Sequence, residues 1–193
     1  MTGSSTRCCR RINFFAALAA LCLAVAWPFA ARGEGIEVKK ASFAVAEDSY
    51  VLEADFAIAL TPTLEETLNR GVSLYFLLEF ELIRPRWYWF NDKIVEAQQQ
   101  YRLSYNALTR QYRIGVGSLY QNFGALADAL AFMSRVRRHE EIEPGALTKD
   151  TAYTAALRLR LDVSQMPKPF QLSALGSREW NVSSDWYRWT VTP

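Results

Sequence analysis

From Val72 to Ile83 the chain alternates: Val72, Leu74, Phe76, Leu78, Phe80 and Leu82 fall on one side of an extended backbone, and Ser73, Tyr75, Glu79 and Glu81 on the other. Successive side chains of a strand point to opposite faces, so this pattern builds a strand with one face buried and does not suit a helix. The same period recurs on both sides of it. Leu52, Ala54, Phe56, Ile58 and Leu60 alternate with Glu53 and Asp55, following Ile36, Val38, Phe43 and Val45 across a turn at Glu47-Asp48-Ser49. Ala155, Leu157, Leu159, Leu161 and Val163 alternate with Arg158, Arg160 and Asp162. One-sided alternation marks antiparallel sheets. The expected fold is mainly β: a single antiparallel β-sandwich, immunoglobulin-like, or a partly open barrel, with about eight strands.

One short and one longer α-helix complete the expectation. Pro62 suits a first helical position, Thr63 and Glu66 have capping-box spacing, and Gly71 stops the segment after about two turns. From Phe123 to Arg138, Leu126, Ala129, Leu130, Met133 and Val136 recur at three- and four-residue steps, which predicts an amphipathic helix. Arg135, Arg137, Arg138 and His139 would then sit at its negative end. Pro167 and Pro169 break the chain, a short segment follows around Phe170 to Leu172, and the tail ends in Trp180, Trp186, Tyr187 and Trp189.

Residues 1–33 read as a secretory signal peptide: Arg7, Arg10 and Arg11, an apolar run from Phe14 to about Ala26, and a small-residue exit at Ala31-Arg32-Gly33. The mature chain, residues 34–193, is expected to be a single extracytoplasmic β-rich domain. Arg10-Arg11 is followed by Ile12-Asn13, which favours the general secretory route over twin-arginine export, and Leu21 before Cys22 argues against a lipoprotein. The alternative to cleavage is an uncleaved inner-membrane anchor, since the run to Ala31 approaches the length of a membrane span. Cys8, Cys9 and Cys22 all lie in this leader, so the domain behind it has no disulfide or thiolate zinc site. Loss of Arg7, Arg10, Arg11 and Arg32 turns the formal charge from +2 to −2. Nucleic acid is therefore not an expected partner.

That charge is unevenly spread. Residues 34–83 carry −7, residues 84–116 carry +4 and residues 117–193 carry +1. The basic segment is also the most aromatic, and its candidate binding residues are Arg84, Arg86, Trp87, Trp89, Arg102, Tyr105, Arg110, Tyr112 and Arg113. Forked arginine donors beside aromatic anchors suit an acidic protein segment, an anionic head group or a glycan. The competing reading is that basic strands pair with acidic strands inside one sheet. Chemistry is hard to place. His139 is the single histidine, so neither a multi-histidine metal site nor a serine triad is expected. Gly115-Val116-Gly117 lacks the third glycine and βαβ setting of a dinucleotide loop and reads as a bulge or turn. No catalytic residue, metal or cofactor is expected.

The segments RPRWYWFNDK, QYRLSYNALTRQYRI, LRLRLDVSQMPKPFQL and SREWNVSSDWYRW, behind a secretory leader, resemble the proteobacterial exported proteins of the domain-of-unknown-function family 4390 over nearly all of the mature chain. The resemblance implies one extracytoplasmic domain without assigned activity or site residues, encoded in relatives beside a membrane sensor histidine kinase. The functional expectation is a non-catalytic periplasmic interaction module that binds a protein or envelope component, with such a kinase as one candidate partner and membrane contact only through an uncleaved leader. The alternative is a glycan-binding protein or an enzyme on cell-wall glycans, using exposed tryptophans with Glu79 and Glu81, or Asp92 and Glu96, as acid and base. A third class is an apolar-ligand carrier.

Overall fold

A computed structural model describes residues 35–46, 49–85, 92–140, 147–148 and 150–192, and the leader expected at residues 1–33 lies outside them. In chain order the strands are β1 (Gly35–Ala46), β2 (Ser49–Ala59), β3 (Leu74–Arg84), β4 (Asp92–Asn106), β5 (Gln111–Val116), β6 (Leu119–Phe123), β7 (Arg135–Glu140), β8 (Tyr153–Leu161) and β9 (Tyr187–Val191). The helices are α1 (Pro62–Asn69), α2 (Leu126–Met133) and α3 (Lys168–Gly176), with short 3-10 turns at Val163–Gln165 and Arg178–Trp180. The chain is mainly β. Two antiparallel sheets form, one of order β1-β2-β7 and one of order β6-β5-β4-β3-β8-β9. Each has two free ends, so neither is a closed barrel.

The alternating stretch that opens the sequence becomes β3, paired on one side with β4 and on the other with β8. Leu74, Phe76, Leu78, Phe80 and Leu82 are all buried, and they meet the buried row Tyr153, Ala155, Leu157, Leu159 and Leu161 of β8. Phe43 of β1 stacks on Phe80 with ring centroids 5.3 Å apart, so side chains of both sheets share one core with Leu52 and Phe56. Each such side chain contributes on the order of 1.5–3 kcal/mol when buried.

Two local expectations change. The N-cap of α1 is Thr61, whose hydroxyl accepts from Leu64 N at 3.3 Å, and Pro62 is the first helical residue. Thr63 does not close a capping box; its hydroxyl donates to Glu179 Oε2 at 2.6 Å. The larger correction concerns residues 123–138. Helix α2 ends at Met133, and Arg135 to Glu140 form strand β7 on the edge of β2. Phe56 N donates to Ser134 O at 2.8 Å, which draws the chain out of the helix and onto the sheet. Arg135 and Arg137 then stand opposite Asp55 and Glu53, and Arg137 bridges Glu53 at 2.9 Å. Val136 is buried in the strand, as the last apolar position of a helix would also be expected to be, so apolar spacing alone does not tell the two apart. The segment around Phe170 belongs to a third helix, α3, so in place of one short and one longer helix the described residues hold three short ones, of eight, eight and nine residues.

Candidate functional site

Of the nine candidate residues, Arg86, Trp87 and Trp89 lie outside the described residues. The other six are not brought onto one surface. Tyr105 and Tyr112 are cross-strand partners with rings 4.8 Å apart, in step with buried Leu103 and Ile114, on the core side of the sheet. The Tyr112 hydroxyl donates to Asn69 Oδ1 at 2.9 Å, tying β5 to the end of α1. Partial burial, then the neighbouring Tyr105 and Glu65, push its phenol up. Arg110 has φ 53° and is exposed in the β4–β5 turn, where Asn106 Oδ1 accepts from Leu108 N and Thr109 N.

Arg84 ends β3, opposite Asp92, and by strand rise lies roughly 33 Å along β4 from Arg102. Its guanidinium sits 5.5 Å from the Tyr153 ring centroid and donates to the Tyr153 hydroxyl at 3.1 Å. Burial works to raise the Tyr153 phenol, but donation from Thr148 N and from Arg84 outweighs it and holds the phenol below its usual range. Arg84 thus closes the core at one end of the sheet.

Arg102 and Arg113 remain, and both are exposed on the face away from the core. Register places Tyr75, Arg102, Gly115 and Tyr120 in one row across β3, β4, β5 and β6, with Arg113 and Asn122 in the next. Two shallow recesses, of about 300 Å³ and about 160 Å³, share Arg102, Gly115 and Tyr120 as walls. The first also has Tyr75, Gln99, Gln100 and Gly117 in its wall, the second Ser104 and Arg113. Arg102 lies 5.8 Å from the Tyr75 ring centroid and donates from Nε and a terminal nitrogen to Ser73 Oγ at 3.3 and 3.2 Å. Arg113 Nε donates to Asn122 Oδ1 at 2.9 Å, which carries its guanidinium across onto β6. Glycine at 115 makes room for the Tyr120 ring: a Cβ there would stand 2.8 Å from Cε1 of that ring and would push the side chain away. The Tyr120 ring therefore lies against the bare backbone of β5.

Much of the rest of this face is charge-compensated, Arg188 of β9 being the exception, set 5.9 Å from the Trp186 ring centroid. Glu79 accepts from Arg158 at 2.5 Å and from Arg160 at 3.2 Å, Lys93 bridges Glu81 at 2.7 Å, and Arg158 sits 4.5 Å from the Trp186 ring centroid. Burial works to raise the Glu79 carboxyl, but the hydrogen bonds and charges of the two arginines outweigh it and hold it low. A third recess, of about 240 Å³ on the small sheet, mixes Lys40, Arg135 and Arg137 with Glu53 and Asp55. Cross-strand pairing thus accounts for the acidic strands β2 and β3, but their partners come from β7, β8 and Lys93. Among the described residues Arg102 and Arg113 bond to neutral oxygens alone, with no carboxylate within ion-pair distance.

A family model described as a domain of unknown function, DUF4390, matches residues 33–190. The chain belongs to the DUF4390 family. No curated protein and no solved structure matches it. Tyr120 and Asn122 of this DUF4390 chain are not among the candidates because the alternation marks no strand at Leu119 to Phe123, and Tyr75, on the outer side of the expected central strand, joins them only through its register with Arg102. A signal was present: Gly117-Ser118 between Val116 and Leu119 is a two-residue hairpin loop, with Gly117 at φ +57°. The tail tryptophans also differ from the expected exposed set. Trp180 is buried against Phe170, and Trp189 packs on Phe80. Among the described residues no group of three or more His, Cys, Asp or Glu could hold a metal, and no helix is long and apolar enough to cross a membrane.

Proposed function

We propose that this DUF4390 chain is an exported, periplasmic, non-catalytic binding module that takes an anionic partner, a protein segment or an envelope component, on the outer face of β3 to β6. The observation that carries the reading is the pair Arg102 and Arg113: exposed, bonded only to neutral oxygens, and set beside the Tyr75 and Tyr120 rings. Uncompensated arginines flanked by aromatic surface offer forked donors and flat apolar contact together. A general-acid role for Glu79 is disfavoured, because Arg158 and Arg160 pair with it and hold its carboxyl low, whereas a general acid needs a raised pKa. The reading includes face-to-face packing of the two sheets as a sandwich, supported by the Phe43–Phe80 stack. One version makes the partner a membrane sensor kinase. Deleting the gene and recording that kinase's output under envelope stress tests it; unaltered output under every stress removes it.

Photocross-linking in cells from positions 75 and 120, followed by mass spectrometry of the adducts, tests the main reading. The wild-type chain should give a defined protein or glycan adduct in the periplasmic fraction, absent when Arg102→Glu and Arg113→Glu are combined in a folded protein. The same adducts from the double variant would overturn it.

A further inference from the structure

We propose that the free edge of β6 is a strand-addition site for an extended peptide segment whose side chains alternate acidic and apolar. The proposal rests on the reading of the Arg102 and Arg113 face as a binding surface and says how a partner reaches it.

Four strands end the two sheets, and three of them are defended. An open edge is a template for another chain, and proteins blunt it with charge, bulges or proline. Strand β1 carries Glu37, Lys39 and Lys40 with a bulge between Val38 and Lys40, β7 reads Arg-Val-Arg-Arg-His-Glu, and β9 carries Arg188 on the face where it meets Trp186. Strand β6, Leu-Tyr-Gln-Asn-Phe, has no charge, no proline and no bulge. Leu119 to Asn122 are exposed, Leu119 at 75% and Tyr120 at 62%, and among the described residues β5 is the only strand beside it. Five residues present roughly 17 Å of backbone.

Each face of an added strand would meet a different chemistry. On the outer face it would lie next to Tyr120 and Asn122, and Asn122 already holds the Arg113 guanidinium over β6. A carboxylate there completes the forked contact that Arg113 makes with no carboxylate among the described residues. On the inner face the added strand would meet Leu119, Gln121 and Phe123, and Phe132 of α2, which lies 5.4 Å from Phe123 and is 42% exposed. Apolar side chains belong on that side. Pairing of β6 with β6 of a second copy is disfavoured by charge. It would bring two Arg102 and two Arg113 onto one continuous face with no added carboxylate.

The test uses the full chain purified from cells and a synthetic heptapeptide alternating valine and glutamate, capped at both ends, titrated by fluorescence anisotropy or calorimetry. Lysine in place of glutamate should abolish binding. Arg113→Glu, with Arg113→Gln as the milder variant, should weaken it by about tenfold or more, and at least one of two versions N-methylated at alternate backbone nitrogens should fail to bind. Tight binding of both N-methylated versions overturns strand addition and leaves the arginine-face reading standing. Undiminished binding to folded Arg113→Glu overturns both. No binding of the valine–glutamate peptide beyond the lysine control overturns strand addition, while the cross-linking experiment judges the face by itself. A concentration-dependent dimer that Leu119→Lys abolishes would assign the edge to a second copy and overturn the proposal.

Discussion

Glu79 shows how one residue can be mistaken for chemistry. It stands two positions from Glu81 on one strand face, a spacing open to acid and base work, yet cross-strand register places Arg158 directly opposite it and brings Arg160 within reach. Its side chain is only 13% exposed, so removing it leaves two guanidinium groups without their shared acceptor in a partly dry setting. Glu79→Ala should cost about 1–3 kcal/mol by urea unfolding at neutral pH. The acid dependence has a fixed sign. The folded carboxyl titrates below the ordinary value of 4.5, so its stabilisation is complete above that value and is lost as pH falls through the lower folded one. Stability of Glu79→Gln should therefore fall less steeply than wild type below about pH 4.5. Equal acid limbs would mean that the ion pairs add nothing. Arg102 and Arg113 are the contrast, since the register gives them serine, glycine and asparagine as neighbours and leaves their charge available.

At the scale of elements, the start signal of helix α1 lies two residues before the expected capping box. The spacing of Thr63 and Glu66 suggests a capping box, yet Thr61 is the residue that caps. Thr61 wins because it also donates to Glu179 O at 2.9 Å, joining the helix start to the 3-10 turn before the tail. Thr61 is 4% exposed, whereas the Thr63 bond to Glu179 lies at the surface. Thr61→Ala should cost about 1–2 kcal/mol and speed amide exchange through α1, while Thr63→Ala should cost less. A larger loss for Thr63→Ala in urea would mean that its bond to Glu179, and not the Thr61 cap, holds the start of the helix. Strand β7 teaches a related lesson. Its arginines satisfy a helix dipole and a row of acidic strand partners equally well, and the acidic row of β2 was present to claim them.

At the scale of the molecule, the six-stranded and three-stranded sheets are joined by a core in which Phe43 and Phe80 stack. Phe80→Ala should cost about 3–5 kcal/mol, and near-ultraviolet dichroism and amide exchange should report loss of both sheets in one transition. Separate transitions for β1-β2-β7 and for the larger sheet would show two independent cores. Much of this was legible in advance. Period-two runs identified β2, β3 and β8 and their buried faces, because side-chain alternation is a local property of extended backbone. Pairing is not local. Nothing in the spacing of Arg102, Arg113, Tyr105 and Tyr112 says that the first two share a face and the last two turn to the core side with Tyr112 bonded to α1, since that follows from register with β3 and β5. Residues 84–116 therefore read as one basic aromatic surface and fold into several unrelated roles. Sequence alone determined the β class, the central strand and the reserve of arginines. Only the tertiary structure decided which arginines meet carboxylates and which stay open beside β6, because charge pairing depends on strand order across the sheet and not on order along the chain.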